Sequence, residues 1–256
     1  MPYQFKEILC ALLLALCAGG ILGSTKDATG QMVHLPQHLE VQLALSALPE
    51  HLRDEATIYV LDPNKGYSLF REGSNGFITF VGRTSTRFYQ AEWDYYYPSD
   101  QLIPVAYDEV GTEHHARPWF DLAQMRAEGV PAQEAKKRLR ERFEDGTYTN
   151  PGKGGISYML APIHRAYGAP EVSDDMITVS FPHYMPYAPH VTGNQLGNFD
   201  PTAGPFALNH GQHDTGPHGY LVFMLPEEQI ANIRAEQEKL LSELCAIHEN
   251  WCLEGE

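Results

Sequence analysis

The first regular pattern along the chain is a helical stripe of apolar residues in "QHLEVQLALSALPEHL". The apolar positions recur at intervals of three and four residues, which is the repeat of one face of an α-helix. The stripe consists of Val41, Leu45, Leu48 and Leu52. The pattern predicts an amphipathic helix that begins after Pro36 and is interrupted or ends near Pro49.

The next segment, "ATIYVLDPNKGYSLFREGSNGFITFVGRT" (residues 56–84), is typical of β-strands. Its β-branched and aromatic residues are separated by "DPNKG" and "SNG", in which Asn and Gly favour tight chain reversal. The segment therefore predicts three strands that form an antiparallel meander. Residues 84–116 are rich in aromatic residues and match neither period clearly, so "EWDYYYPSD" is interpreted as an inserted loop.

Two helices are predicted to follow, over residues 117–129 and 130–146. Each has a proline near its start and a glycine after its end, which is the usual polarity of helix signals. Three further strand-like runs come after them, "GISYMLAP", "MITVSFPHYMPYAP" and "GYLVFMLP". Strands, then helices, then strands again, without a βαβ rhythm, predict an α+β fold built on an antiparallel sheet with a two-helix insertion.

The chain closes with a predicted long helix over residues 226–256. Apolar and polar positions alternate by three and four along it, as in a heptad repeat. The seam comprises Ile230, Ile233, Gln237, Leu240, Leu244, Ile247 and Trp251. Two interpretations stay open: the helix docks on its own domain, or it forms a homo-oligomer through residues 230–251.

The first residues, "MPYQFKEILCALLLALCAGGILGS", predict a signal peptide over residues 1–23. Lys6 precedes an apolar run and then small residues, which is the order found in secretory signals. The run is too short to span a bilayer, and no later run is longer, so we expect no transmembrane segment after signal removal. The protein is therefore expected to be periplasmic or extracellular. Lipid anchoring through Cys17 is disfavoured because Leu16 is large.

Charge and cysteine content narrow the picture further. The formal net charge of −15 argues against a nucleic-acid partner, because such binding depends on basic residues that neutralise phosphates. After signal removal Cys245 and Cys252 remain, and residues 24–225 are expected to form one domain. Seven residues apart in an intact helix, the two cysteines lie too far from each other to pair. They are free, pair between chains, or pair beyond the helix end.

The twelve histidines are the main candidates for chemistry. They cluster as His34 and His38, as His114 and His115, as His183 and His190, and as His210, His213 and His218 in "NHGQHDTGPHGY". Imidazole is a common ligand of transition metals. His183, His218, His210 and His213 are therefore candidate ligands of a divalent metal, with zinc as the first choice. The alternative is that these histidines are structural.

His183 and His218 are also candidate acid/base groups, because histidine titrates near neutral pH. Each adjoins a predicted strand, so packing is expected to orient it, and Tyr187 lies near His183 in the sequence. The chain has no Gly-x-Ser-x-Gly, His-Glu-x-x-His, Gly-x-Gly-x-x-Gly or Cys-x-x-Cys motif. "GTYTNPGKGG" departs from a phosphate-binding loop in its glycine spacing and lacks the Ser/Thr after Lys153.

Over residues 40–225 the order of these pieces resembles a family of exported bacterial proteins whose function is not established. Two patterns carry the resemblance: Pro-His-x-Met-x-Tyr-Ala-Pro at residues 182–189 and Pro-His-Gly-Tyr at residues 217–220. It implies roles for His183, Met185, Tyr187, His218 and, in a Tyr-Asp-x-x-Gly stretch, Asp108. The chain departs from the family by lacking cysteines in "FITFV" and before "AYD".

Two function hypotheses follow. In the first, His183 and His218 form a hydrolase-like site, metal-assisted or acid/base, supported by Tyr187 or Asp108. In the second, the protein is a non-enzymatic binding or structural module of the cell envelope that recognises a small molecule or envelope component. Its ligand would contact aromatic residues (Trp93, Tyr95, Tyr96 and Tyr97). Convergence of the two histidines favours the first hypothesis, and separate histidines bonded to backbone carbonyls favour the second.

Overall fold

A computed structural model describes residues 31–84, 97–167, 175–197, 205–208 and 218–253. The predicted signal peptide lies outside these residues. The helices are α1 (Gln37–Ser46), α2 (Glu50–Arg53), α3 (Glu109–His114), α4 (Arg117–Ala127), α5 (Ala132–Glu144), α6 (Gly193–Leu196), α7 (Glu227–Glu236) and α8 (Glu238–Ile247). The strands are β1 (Thr57–Asp62), β2 (Gly66–Arg71), β3 (Ile78–Gly82), β4 (Ile103–Tyr107), β5 (Ile156–Met159), β6 (His164–Tyr167), β7 (Met176–Val179), β8 (His183–Pro186), β9 (Phe206–Leu208) and β10 (Tyr220–Met224).

The strands form a large, mostly antiparallel sheet, which confirms the predicted α+β class. Within the described residues, the main sheet has eight strands in the order β2-β1-β3-β4-β5-β8-β10-β9, and β6 and β7 form a separate pair. Leu102 bridges to Arg165, so the β6-β7 hairpin adjoins the start of β4. In this part of the chain no helix is long and apolar enough to cross a membrane.

The first three strands do not form the predicted meander. β2 pairs with β1 in antiparallel fashion, but β3 lies on the other side of β1 and runs parallel to it. The connection returns past the start of β1, where Ser74 and Asn75 donate to the carbonyl of Glu55 and Asn75 Nδ2 donates to that of Leu52. The "SNG" turn therefore carries the chain across β1 instead of reversing it beside β2.

Each face of the sheet is covered by helices. On the first face, Phe80 and Tyr107 pack with Trp119 of α4. On the second face, Ile58 and Val81 pack with residues of α1 and α8. The alternation follows from the strand period of two, which sends successive side chains to opposite faces.

The helix α1 is confirmed, but its buried stripe is offset from the predicted one. The helix ends at Ser46, and its buried apolar residues are Leu39, Leu43 and Ala44. Val41 and Leu45 are only partly buried. Leu48 of the predicted stripe is fully buried but follows the helix. The chain leaves the helix before Pro49 and begins the short α2 after it, which confirms the predicted interruption near this proline.

The two-helix segment is confirmed as α4 and α5. Pro118 lies in the first turn of α4 and Pro131 directly precedes α5. Gly129 and Gly146 have positive φ angles of 75° and 78°, a conformation that glycine adopts without steric cost. The run "MITVSFPHYMPYAP", read as one strand, is divided into β7 and β8 around Pro182.

The predicted long C-terminal helix is divided into α7 and α8. Gln237, with φ −109° and ψ 16°, interrupts the helical geometry between them. Leu240, Leu244 and Trp251 of the heptad seam are buried in the core with α1. This part of the seam therefore docks on the protein's own domain.

Beyond α8 the chain turns back as a hook. His248 is extended, with φ −149° and ψ 126°, and a short 3-10 helix (Glu249–Trp251) follows. This reversal brings the Cα atoms of Cys245 and Cys252 to 4.5 Å, and the two cysteines form a disulfide. Of the alternatives left open by the sequence, pairing beyond the helix end is the one observed.

Candidate functional site

Asp108 lies at the corner between β4 and α3, where both of its carboxylate oxygens accept backbone hydrogen bonds. Oδ1 accepts from Gly111 N at 2.8 Å, and Oδ2 accepts from Ile156 N at 2.8 Å. The approach is close at Gly155, where an added Cβ would lie 2.6 Å from Oδ2. Asp108 therefore caps α3 and fastens it to β5.

Tyr187 follows β8 and reaches the same corner. Its hydroxyl lies 3.0 Å from Asp108 Oδ1 and 2.9 Å from the carbonyl oxygen of Ile156, so these two acceptors share its single proton. An added Cβ at Gly111 would overlap the hydroxyl. Tyr187 and Asp108 are therefore in direct contact.

His218 and His114 converge on the carbonyl oxygen of Thr149. His218 Nε2 lies 2.8 Å from this oxygen and His114 Nδ1 lies 2.9 Å from it. A carbonyl oxygen only accepts, so His218 Nε2 carries a proton. His114 Nδ1 also lies 2.8 Å from the hydroxyl of Thr149, which can donate to it. His218 Nδ1 is then the unprotonated nitrogen, and it is buried without a hydrogen-bond partner among the described residues.

His115 is the residue that links the two groups. Its ring contacts those of Tyr187, Tyr220 and His218, with centroids 4.2, 4.7 and 5.2 Å away. His115 is 1% exposed, and within the described chain neither ring nitrogen has a hydrogen-bond partner. The result is a buried cluster, here called the His115 cluster, made of Asp108, His114, His115, Tyr187, His218 and Tyr220.

Burial changes the pKa values of this cluster in the direction that favours the neutral form of each side chain described here. Burial, with the neighbouring His218 and His114, lowers the pKa of His115 to about 2. Burial also lowers the pKa of His218, against the opposing effect of the Thr149 carbonyl. The pKa of the Tyr187 phenol is raised by burial and by the Asp108 carboxylate. At neutral pH both imidazoles are uncharged, and the phenol holds its proton.

His183 lies elsewhere on the sheet. It is opposite Met224, whereas Tyr187 bridges to Tyr220 at the other end of the same strand pair. Four residues of strand separate these positions, about 13 Å at about 3.3 Å per residue. His183 Nδ1 lies 2.6 Å from the carbonyl oxygen of Phe181, and burial lowers the pKa of His183 to about 4. The structure therefore does not bring His183 and His218 together.

The predicted metal ligands do not assemble within the described residues. No group of three or more His, Cys, Asp or Glu side chains there is arranged to hold a metal ion. His210 and His213 lie outside the described residues, as do the aromatic residues Trp93, Tyr95 and Tyr96.

Three buried histidines were not among the candidate site residues predicted from the sequence: His114, His115 and His164. His115 belongs to the "HH" doublet in "GTEHHARP", which was visible as a cluster but adjoined no predicted strand. His164 stands alone in the sequence, yet its ring lies 5.9 Å from that of His183. The pairing of β5 with β8 and the bridge between the start of β4 and β6 bring His164 close to His183.

Comparisons with protein-family models, with curated proteins and with solved structures found no match to this chain.

Proposed function

We propose that this chain is an exported, non-enzymatic binding module in which the histidines stabilise the fold. One observation carries the proposal: the rings of three buried histidines are hydrogen-bonded to fixed groups of the fold. His218 donates to the carbonyl of Thr149, and His183 donates to that of Phe181. His114 Nδ1 contacts both the carbonyl and the hydroxyl of Thr149. Such bonds satisfy polar groups that would otherwise be costly to bury.

Asp108 and Tyr187 of the His115 cluster are likewise hydrogen-bonded to the fold. Each oxygen of Asp108 accepts a backbone N–H, and the Tyr187 hydroxyl donates into the same corner. A general base must reach the proton that it removes, whereas His115 and His218 are buried. This arrangement gives the hydrolase-like hypothesis less support than the binding hypothesis.

Export is supported by two independent features. Lys6 and the apolar run after it have the order of a secretory signal. The disulfide between Cys245 and Cys252 suits an oxidising compartment, since disulfides persist mainly in secreted and envelope proteins.

The binding surface that we propose is the edge strand β2. Within the described residues β2 pairs only with β1. Leu69 and Phe70 are 54% and 49% exposed, and the register with β1 is irregular at Phe70. Edge strands are usually protected by charges, proline or a covering segment, and an unprotected apolar edge can accept a further strand.

The partner that fits this edge is an extended polypeptide with apolar side chains. Its backbone would continue the hydrogen-bond ladder, and its apolar residues would cover Leu69 and Phe70. The net charge of −15 favours a basic partner segment, because complementary charge speeds association and selects the partner.

The first test addresses catalysis. Chromogenic ester, phosphate and glycoside substrates are assayed with the full chain and with the variants His218→Gln and Asp108→Asn. The matched control is His38→Gln, because His38 is an exposed histidine. We expect no hydrolysis above buffer for any of them. Turnover by the unmodified chain that is lost in His218→Gln and kept in His38→Gln would support the hydrolase-like hypothesis instead.

The second test addresses the edge strand. A photo-reactive phenylalanine analogue replaces Phe70. In a control protein the same analogue replaces Ile247, which is 37% exposed and distant in sequence. In the cells of origin we expect adducts at position 70 only. A peptide with the cross-linked sequence should bind the full chain and bind Leu69→Lys at least about tenfold more weakly. An adduct with a second copy of the chain, or none at position 70, would contradict the proposed partner.

A further inference from the structure

His183 has a methionine on each side of it in the sheet. Met159 of β5 is its partner in one direction, and Met224 of β10 is its partner in the other. Directly opposed residues of neighbouring strands lie on the same face, with Cβ atoms about 5 Å apart. The imidazole of His183 therefore has a flexible thioether side chain on either side.

His164 adds a second imidazole to this row. The two rings have centroids 5.9 Å apart. His164 is 5% exposed, and in the described part of the chain neither of its ring nitrogens has a hydrogen-bond partner. Since metal–imidazole bonds are about 2.0 Å long, two rings that share one ion have centroids about 6 Å apart or a little less.

The orientation of His183 leaves one nitrogen free for a ligand. Nδ1 lies 2.6 Å from the carbonyl oxygen of Phe181 and must donate to it. In the neutral ring, Nε2 then carries the lone pair. A metal-binding histidine commonly has this arrangement, in which the second nitrogen donates to a backbone carbonyl and fixes the ring.

We propose that His164, His183, Met159 and Met224 form a binding site for monovalent copper. Imidazole and thioether ligands together suit the soft Cu(I) ion, whereas zinc prefers thiolate, imidazole and carboxylate ligands. All four side chains are neutral donors, so a monovalent ion leaves less uncompensated buried charge than a divalent one. The site goes beyond the proposed binding function and does not depend on β2.

This ligand set differs from the one suggested by the sequence in two ways. It keeps His183 but replaces the other candidate histidines by His164 and two methionines. It also replaces zinc by copper. The proposed site contains only two ligands of the types His, Cys, Asp and Glu, because its other two ligands are methionine thioethers.

The experiment is an anaerobic titration of the full, untagged chain with Cu(I) against a chromophoric Cu(I) chelator, followed by X-ray absorption. We expect one ion per chain with nitrogen and sulfur neighbours. Met159→Leu and Met224→Leu keep side-chain volume but remove sulfur. Changes around a metal site commonly lower affinity by about 10- to 100-fold, so each should weaken binding at least about tenfold.

Met185→Leu is the matched control, because Met185 lies on the same face of β8 but opposite Ser157. It should bind Cu(I) as the unmodified chain does. His164→Leu tests the second imidazole, and circular dichroism shows whether each variant folds. Unchanged affinity in the Met159→Leu/Met224→Leu double variant, or a copper site without sulfur neighbours, would overturn the proposal. Either result would leave the β2 proposal untouched.

Discussion

At the scale of single residues, Glu40 is the ionisable group whose environment matters most for stability. It is 4% exposed in α1, and its Oε1 accepts a hydrogen bond from Leu61 N at 2.8 Å. Burial raises the pKa of Glu40 to about 7, although this backbone bond and the nearby Arg83 oppose the shift. Burial also lowers the pKa of Arg83 to about 10. The carboxyl group is therefore easier to bury protonated than charged.

We expect Glu40→Gln to change how stability depends on pH. The folded pKa of about 7 lies above the unfolded value of 4.5, so between these values the unfolded state loses its proton first. Stability from this group is full below about pH 4.5 and falls as pH rises to about 7. Gln keeps an acceptor for Leu61 N without ionising. The free energy of unfolding of the variant, relative to that of the wild type, should therefore be higher at high pH than at low pH by up to about 3 kcal/mol.

Urea unfolding of both proteins at about pH 4 and about pH 8 measures this difference, with Glu50→Gln, at an exposed glutamate, as the control. A constant difference at the two pH values would mean that folding does not raise the pKa of Glu40 and would contradict the prediction.

At the scale of elements, the return of the chain past β1 depends on Gly73. Its amide donates to Thr57 Oγ1 at 3.0 Å. An added Cβ would overlap the carbonyl oxygen of Glu55 and the backbone of Ala56. Backbone atoms of a paired strand cannot move aside as a flexible side chain can. The parallel pairing of β1 with β3 therefore requires glycine at this position.

We expect Gly73→Ala to lower the free energy of unfolding by about 3 kcal/mol or more, since overpacking in a core commonly costs about 1 to 3 kcal/mol. Gly152→Ala is the matched control, because nothing lies within 4 Å of a Cβ added there. Denaturant unfolding of the two variants compares them. Equal stability of both would show that the connection reaches β3 by another path.

Many of the elements were predictable, although β4, β6 and β9 were missed. The partners of the strands were not predictable. Proline and glycine marked both ends of α4 and α5. β-Branched and aromatic residues between turns rich in Asn and Gly marked β1, β2 and β3. Periodicity gives no information about which strand lies beside which, so the position of β3 next to β1 was missed. The disulfide between Cys245 and Cys252 remained one of three alternatives, because the heptad pattern continues through His248 and does not reveal the turn there.

At the scale of the whole molecule, the candidate site depends on contacts between distant parts of the chain. The sequence selected Asp108, Tyr187 and His218, and these do gather in the His115 cluster. It could not indicate Thr149, whose contribution is a backbone carbonyl, or His164, which no local pattern distinguishes. The sequence also suggested that His183 and His218 share one site. This prediction was wrong because proximity to a strand end does not reveal at which end of the sheet a residue lies.

The docking of α8 gives a last expectation about the whole molecule. Leu244 is fully buried and packs in one core with Leu43 of α1 and with Trp251. Leu244→Ala should lower the free energy of unfolding by about 3 kcal/mol, the usual scale for a buried leucine. Ile247→Ala, at an exposed position one turn away, should change it by less than about 1 kcal/mol. Because the part of the seam in α8 is used within one chain, we expect that neither unfolding midpoint depends on protein concentration, measured at two concentrations roughly tenfold apart. A midpoint that rises with concentration in the wild type and not in Leu244→Ala would mean that the seam also joins two chains.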